Sequence, residues 1–494
     1  MKLNITFNYT ITTTFMLLAL WYVSVGCSDF LNEQPYSQLS DSQFWKTNAD
    51  ANAAVSGIYD GLQKHYRERI FLQGEMRSDI YTPSGSAGAS ALELMRNSLT
   101  AANSVSDWTL LYQAIGRANL CIEKIPTVPG YDPNLLGEAK MLRAFLYFDA
   151  VRLWGDVPLF TEPIVSPNQE LKKPRTDANK IINEIVIPDM LDGEKLISTA
   201  KNDFRFARPS VYAFQAMVYM HLRQYANAKA AINKLIALKS HGFVTTRDAW
   251  QKLFLNDVGQ GGKFQTGAEL ILSIQYSLTE DADRSGVYNV FFAGLPAYVI
   301  SSTLTNKWLA TYPQDSTLFK AKYPGFIPKA TNANGTRLWG DWRYLDSREL
   351  NASGTNLPRV AKYNKLNYNQ AFDDTNIHLF RYADMILYLA EAENKLGNRP
   401  AAIAALNQVR DARQLPLLDT KSVLTEAQLE NIILDERLFE FVGEGKRWWD
   451  LVRTGKAAEV MGPINGQKDD KILFPIFNTH LIENPLLVQN VAYK

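Results

Sequence analysis

An interval repeated in two distant stretches of this sequence restricts its fold more than any other feature. In PSVYAFQAMVYMHLRQYANAKAAINKLIAL, Ala216 is followed at twelve residues by Ala228 and at sixteen by Ile232. In FRYADMILYLAEAENKLGNRPAAIAALNQVR the same intervals lead from Ala390 to Ala402 and Leu406. Tyr219 lies three residues after Ala216, and Tyr225 opens the turn. Small residues at matching heights let two antiparallel helices close at short distance, as in tetratricopeptide units. LGEAKMLRAFLYFDAVRLWGD supplies a third first-helix with Ala144 and Tyr147. Degenerate, non-contiguous copies of this kind predict a mostly α-helical scaffold carrying long insertions.

Helical spacing of apolar residues extends the pattern. It begins near Phe44 and runs to about Leu62. It recurs near 107–125, 133–153, 178–195, 208–222, 225–238, 377–396, 399–413 and 426–443. In the clearest stretch Leu379, Ala383, Ile386, Leu387 and Ala390 are expected on one face. Residues 240–375 break the pattern, with frequent Gly, Asn and Pro and short strand-like pieces such as ELILSIQY (269–276). Thirteen of the 69 residues from 276 to 344 are aromatic, about 19% against 12% overall, and long irregular insertions are where binding surfaces usually sit. Net charge is +1 with no Lys/Arg-rich run, so nucleic acid is not an expected partner.

The amino terminus adds a second constraint. Lys2 opens a weakly positive start, and residues 15–26 form an apolar run of 12 ending at Cys27. That run is too short to span ~30 Å of hydrocarbon, so a signal peptide over 1–26 is expected, not a membrane helix. A small residue followed by Cys is the pattern of a bacterial lipoprotein, in which the Cys27 thiol takes a diacylglyceryl group. The competing reading is a secreted chain with an incidental cysteine. With Cys27 acylated only Cys121 remains, so no intramolecular disulfide is expected. Within ANLCIEKI, Cys121 reads as a small buried hydrophobe. The polar stretch 28–43 reads as an extended lead from the anchor.

Together these segments resemble the RagB/SusD family of outer-membrane nutrient-binding lipoproteins over essentially the whole mature length. The signals are CSDFL (27–31) with Pro35, Phe44-Trp45, and a helix ending in Gly57-Ile58-Tyr59. GEMRSD (74–79), LRAFLYFDAVRLWGDVPL (142–159), LFRYADMILYLAEAENKLG (379–397) and LNQVRDAR (406–413) follow. DERLFEFVGEGKRWWDLVRTGK (435–456), with its Glu-Gly-x-Arg-Trp core, and LFPIFNTHLIENPLLVQN (473–490) complete the set. The resemblance implies a SusD-like helical domain over 27–494 with tetratricopeptide-like pairs and partly β insertions. Its parts are expected at about 27–240, 240–375 and 376–494. The resemblance also implies a lipid at Cys27, a cell-surface position on the outer membrane, and a SusC-like TonB-dependent transporter as partner. Oligosaccharide or polysaccharide is the expected ligand, with peptide or glycopeptide cargo as the variant within the family.

Carboxylate clusters invite an enzymatic reading. Glu436, Glu440 and Glu444 share a helical face near Arg437, Arg447 and Asp450, and paired carboxylates can hydrolyse glycosides. Consecutive i, i+4 carboxylates beside arginines and Trp448-Trp449 fit a packed ion-pair network better. Arg381, Asp384 and Glu391 are read as scaffold on the same grounds. The five histidines show no HxxxH spacing, and neither a Gly-x-Ser-x-Gly elbow nor a phosphate-binding Gly loop is present. DADRSG (281–286) lacks the closing Glu of a calcium loop and reads as a turn. No catalytic residue, metal or cofactor is expected. A helical-scaffold glycan-degrading enzyme and a protein-binding tetratricopeptide lipoprotein are the competing classes.

Sugar binding needs an aromatic ring for the apolar face of the pyranose and planar polar groups for its hydroxyls. Two stretches offer both: Asp79 and Tyr81 leading into TPSGSAGASALELMRNS, and the aromatic insertion with Tyr288, Phe291, Phe292, Trp339 and Trp342. These seven are the candidate glycan-binding residues. Trp108, opening WTLLYQAIGRAN, is assigned to the core.

Overall fold

The computed structural model describes residues 44–494 except 165, 167, 258–261, 280–283, 350–356 and 364–372. Cys27, the apolar run before it, the 28–43 lead and half of DADRSG lie outside the described residues.

Amphipathic periodicity becomes helix where caps allow. Helix α1 (Asn48–Tyr66) opens on a capping box, Thr47 accepting from the Asp50 amide while Asp50 accepts from the Thr47 amide. Next come α2 (Thr109–Lys124) and α3 (Pro133–Trp154), the latter started by Asp132 with Pro133 in the first turn. After these lie α4 (Ile187–Leu196), α5 (Arg208–His221) and α6 (Tyr225–Ala237). The insertion contributes α7 (Ser302–Thr311) and α8 (Ser316–Lys322). The C-terminal part adds α9 (Tyr382–Lys395), α10 (Arg399–Ala412), α11 (Glu426–Glu440) and α12 (Arg447–Arg453).

Helices α1 and α2, α3 and α4, α5 and α6, and α9 and α10 pack as antiparallel pairs, and α6 lies on α9. The repeated alanines sit where those pairs meet: Ala144, Ala216, Ala228, Ala390 and Ala402 are all fully buried. Any larger side chain there would push two backbones apart, because the interior is already close-packed. Trp108 and Cys121 are buried in the core, as their helical context predicts.

One boundary differs from the sequence reading. Residues 377–381 are not the start of a helix but strand β4 (Ile377–Arg381), paired antiparallel with β2 (Leu270–Ile274). All ten residues of the two strands are buried. A strand covered on both faces shows no apolar–polar alternation, here with His378 and Arg381 taken inside by buried partners, so periodicity alone does not distinguish it from helix. Leu379 therefore lies outside the face shared by Ala383, Ile386, Leu387 and Ala390. Two shorter strands, β1 (Tyr81–Pro83) and β3 (Tyr298–Ile300), form a second antiparallel pair.

The insertion is closed onto the C-terminal helices by a buried ionic network. Five cations (Arg343, Lys362, Arg381, Arg410, Arg413) meet five carboxylates (Glu269, Asp341, Glu436, Glu440, Glu444). Arg343 contacts Asp341 at 2.8 Å, Glu436 at 2.6 Å and Glu440 at 2.8 Å. Arg381 bridges Glu440 at 3.0 Å and Glu444 at 2.8 Å, and Lys362 holds Glu444 at 2.7 Å. The balance of charges matters more than the number of contacts, since each buried ion must recover its lost hydration from a partner. Glu391 and Asp384 are used likewise, by Arg453 and by Arg437 with Lys446. No acid of this network stands free to act as a general acid or base.

Glycines in the two motifs flanking the network have a packing reason. A Cβ on Gly74 would meet the Gly445 carbonyl oxygen at 2.1 Å, and one on Gly445 would meet the Ile70 oxygen at 2.5 Å. The segment 74–79 and the Glu-Gly-x-Arg-Trp turn are thus pressed backbone against backbone.

Candidate functional site

Two stretches more than 200 residues apart are sewn into one surface by β1 and β3. Tyr81 lies opposite Ile300, Thr82 opposite Val299 and Pro83 opposite Tyr298. The seam continues on both sides of the strands. The Ser301 amide donates to Ile80 O at 2.8 Å, and Ser301 Oγ donates to Asp79 O at 2.6 Å. Beyond Pro83, the Ser84 amide donates to Ala297 O at 3.0 Å, Ser84 Oγ to Pro296 O at 2.6 Å, and Ser86 Oγ to Leu295 O at 3.0 Å. The loop after Asp79 and the aromatic insertion therefore form a single surface, with Thr82, Gly85, Ser86 and Leu295 exposed along it.

Two cavities border the seam. One, of about 380 Å³, is floored by Asp79 and Tyr81 and walled by Arg96, Ser302, Thr303 and Asn465. The other, of about 330 Å³, is lined by Arg67, Glu68, Arg69, Ser90 and Tyr298. The short helix Ala89–Met95 feeds both, giving Ser90 to one and Met95 to the other. Hydroxyls, an amide and guanidinium groups around small hollows suit a polyhydroxylated ligand. The helix Val287–Phe291 adjoins the second cavity, because Asn289 Nδ2 donates to Glu68 Oε1 at 2.7 Å.

Most of the candidate aromatics are not platforms, and this corrects the reading drawn from composition. Phe291 is fully buried among Phe71, Tyr81 and Tyr363, with ring centroids 5.0 to 6.3 Å apart. Trp342 is 2% exposed, donates Nε1–H to Arg413 O at 2.9 Å, and packs edge-on against Trp250. Phe292 is buried beneath the Arg359 guanidinium, 4.9 Å from its centroid. The cause is general: the insertion builds its own core on top of the ionic network, and its aromatics fill it. Trp308, Tyr312 and Phe319 are consumed in the same way. Tyr288 and Trp339 alone among the named rings are half-exposed.

Asp79 and Tyr81 reach the cavity floor but are already partnered. Arg447 donates to both Asp79 oxygens, at 2.9 and 3.0 Å. Burial works against the Asp79 charge, yet the guanidinium outweighs it and holds the carboxyl below its usual range. Tyr81 O–H donates to Glu75 at 3.2 Å, and burial pushes Glu75 up to about 8 despite the Gly443 and Gly445 amides that donate to it. These two residues set the floor of the hollow. They are a frame for a ligand rather than free hydrogen-bonding groups.

Trp339 stands apart from the seam. It follows a hairpin in which Asn332 Oδ1 accepts from the Asn334 and Thr336 amides, and Thr331 bridges Arg337. Gly340 fixes the next step: its φ is +77°, and a Cβ there would meet the Tyr312 and Pro313 carbonyl oxygens at 2.8 Å. The indole leans edge-on to Phe319 of α8, with Lys320 Nζ 4.8 Å and Arg337 Cζ 5.9 Å from its ring. Aromatic content alone does not reveal these cations. The signal was present, since residues 316–340 hold three Lys and one Arg with no Asp or Glu.

With this geometry in hand, similarity to known proteins is informative. Residues 327–493 match a family described as the SusD family, and residues 29–220 match one described as starch-binding associating with outer membrane. The chain is similar to the SusD-like protein P38 of Formosa agariphila, 44% identical over 98% of this chain and 99% of that one. It is also similar to the SusD-like protein P2 of the same organism, 26% identical over 98% and 99% of the two chains. Among solved structures, a SusD superfamily protein of Bacteroides thetaiotaomicron has a TM-score of 0.70 at 20% identity, covering 91% of this chain and 99% of that one. A laminarin-binding SusD-like protein has a TM-score of 0.69 at 22% identity, covering 91% and 100%. At such identities the structural likeness establishes the shared fold.

Proposed function

This chain belongs to the SusD family, and on that footing we propose that it is a non-catalytic glycan-binding lipoprotein of the outer-membrane surface. It captures oligosaccharide at the seam between the loop after Asp79 and the insertion, and passes it to a SusC-like TonB-dependent transporter. The observation that carries the reading is the β1–β3 seam with its two hollows lined by hydroxyl, amide and guanidinium groups, on a scaffold whose buried network holds each of its five carboxylates with arginine or lysine. Hydrolysis needs a carboxyl free to exchange protons with the leaving group, whereas capture needs only hydroxyl, amide and guanidinium groups held in place. The laminarin ligand of one structural relative and the starch-binding description of the matched family support the choice of glycan.

A panel of soluble polysaccharides and peptides tests this, with retardation of the purified protein as readout. At least one polysaccharide should bind and emerge with its chain length unchanged. Arg67→Ala and Arg96→Ala, one from each hollow, should each weaken that binding about tenfold, the effect of losing one charge-assisted hydrogen bond, with no loss of stability. Binding to peptides alone, or shortening of the bound polymer, would sink the proposal.

Membrane attachment is assigned to acylated Cys27, supported by the apolar run ending in Gly26-Cys27. No helix among the described residues is long and apolar enough to cross a membrane. Two or three acyl chains at ~0.8 kcal/mol per buried methylene suffice for a stable anchor. The intact mass of the membrane-extracted protein should correspond to a chain beginning at residue 27 with added acyl mass. Cys27→Ala protein should leave the outer-membrane fraction in cells lacking the transporter.

A further inference from the structure

The surface around Trp339 carries a charge that the rest of the chain does not. Residues 316–340 contribute four cations and no carboxylate to a protein whose net charge is +1. Lys320, Lys322, Lys329 and Arg337 are all exposed. Among the described residues none of the four is in a salt bridge. Lys322 donates to the Ala310 carbonyl oxygen and lies over the Tyr323 ring, with no carboxylate partner among the described residues. The neighbouring cations, by contrast, are neutralised, Lys307 by Asp435 at 2.8 Å and Arg410 by Glu436 at 2.9 Å. The acids that flank the segment are both occupied, Asp315 in accepting from the Thr317 and Leu318 amides and Asp341 by Arg343 at 2.8 Å. Leu318 and Ile327 add apolar surface here, 61% and 59% exposed.

We propose that Trp339, Lys320 and Arg337 form a subsite for a sugar ring bearing an anionic substituent, a uronate carboxylate or a sulfate ester. This rests on the glycan-binding reading and deepens it by naming the ligand's charge class. The indole offers its half-exposed face to the C–H face of a pyranose. The Arg337 guanidinium presents a planar fork that matches the oxygens of carboxylate or sulfate, and the Lys320 ammonium adds a point charge beside the ring. The cation–ring contacts seen here are of the exposed, weak kind and yield readily to a ligand anion. The hairpin and the Gly340 approach hold Trp339 and Arg337 in place beforehand, so little ordering is required on binding. The subsite also lies within reach of the seam. Ser302 lines the seam hollow at the start of α7, and the α8 that carries Lys320 follows the end of α7, roughly 15 Å away at 1.5 Å per residue. One extended oligosaccharide spans that distance.

The test uses full-length protein extracted in detergent and paired polymers that differ only in charge: dextran sulfate against dextran, and polygalacturonate against its methyl ester. The expected result is tighter binding, by about tenfold or more, to at least one anionic polymer than to its neutral partner, weakening as salt is raised. The arm that responds identifies sulfate or carboxylate. Lys320→Gln with Arg337→Gln should abolish the preference, and Trp339→Ala should weaken binding at least about fivefold, both with unchanged melting temperature. Equal binding to charged and neutral polymers overturns the inference while leaving the glycan reading intact. Binding to none of the four counts against both. An anionic preference that survives the Gln variants also overturns the inference. So does tighter binding to phosphatidylglycerol vesicles that the same variants abolish, since the patch would then be a lipid-facing surface.

Discussion

Glu440→Gln lowers the stability of this protein by about 3–5 kcal/mol, the range for breaking a buried ion pair from one side. Glu440 is fully buried and accepts from Arg343 at 2.8 Å, Arg381 at 3.0 Å and Arg413 at 2.8 Å. Trp250 Nε1–H adds a further donor at 3.3 Å. An amide keeps the shape but removes the charge, and turns two N–H donors towards guanidinium groups that cannot accept them. The remaining cations would then exceed the carboxylates around them in a region closed to water. The midpoint of urea unfolding is the measurement. Ligand binding by the folded fraction should be unchanged, because the network lies beneath the insertion and not at the seam. A variant of normal stability that has lost binding, or a wild type whose glycan cleavage the substitution removes, would show that Glu440 is a site residue after all.

The second large effect is acid unfolding, and its sign follows from two sets of buried groups. Burial opposes the charge of Glu444, yet Arg381 and Lys362 outweigh it and hold the carboxyl at about 2, against 4.5 in an unfolded chain. Burial is likewise outweighed at Asp450, where Arg437 and Arg453 hold the carboxyl at about 2 against 3.8. Depressed carboxyls contribute stability above their unfolded pKa and lose it as pH falls towards the folded one, here between about 4.5 and 2. His65 and His378 add an earlier window. Burial pushes both down to about 4 from 6.5, so unfolding takes up their protons as pH falls through that interval. His378 is held neutral between Ser273 Oγ at 2.8 Å and Leu253 O at 2.7 Å. Each group is worth on the order of 2–3 kcal/mol, so together they approach the whole stability of a domain. Glu75 opposes them at the alkaline end. Its carboxyl is raised to about 8 by burial, so its stabilising contribution is lost as pH rises from about 4.5 through 8. Stability should therefore peak between about pH 5.5 and 7 and collapse by about pH 3. Urea midpoints across pH 3 to 9 measure it, and a midpoint that stays level from pH 7 down to 4 would refute the assignment of these groups.

What the sequence determined by itself is the part of the molecule governed by local period and local caps. The intervals from Ala216 to Ala228 and from Ala390 to Ala402 are legible because helix pairs meet at positions set by 3.6 residues per turn. The pairing of Glu436 and Glu440 is legible because i, i+4 spacing on α11 beside arginines admits few other packings, whereas Glu444, expected on the same helical face, joins the network from the turn after the helix ends at Glu440. Strand β4 was not legible as such, because burial on both faces removes the alternation that marks a strand. The ligand surface was legible only as two separate stretches. Their meeting depends on a pairing across more than 200 residues, Tyr81 with Ile300, for which no local signal exists. Which rings face solvent was decided by tertiary packing alone. Phe291 and Trp342 lie in the same aromatic-rich insertion as Trp339, yet the first two close a core over the ionic network while Trp339 is left at its edge. An aromatic residue has the same free-energy reason to be buried wherever the chain can fold over it. Its exposure is settled by the shape of the surroundings and not by its own position in the sequence.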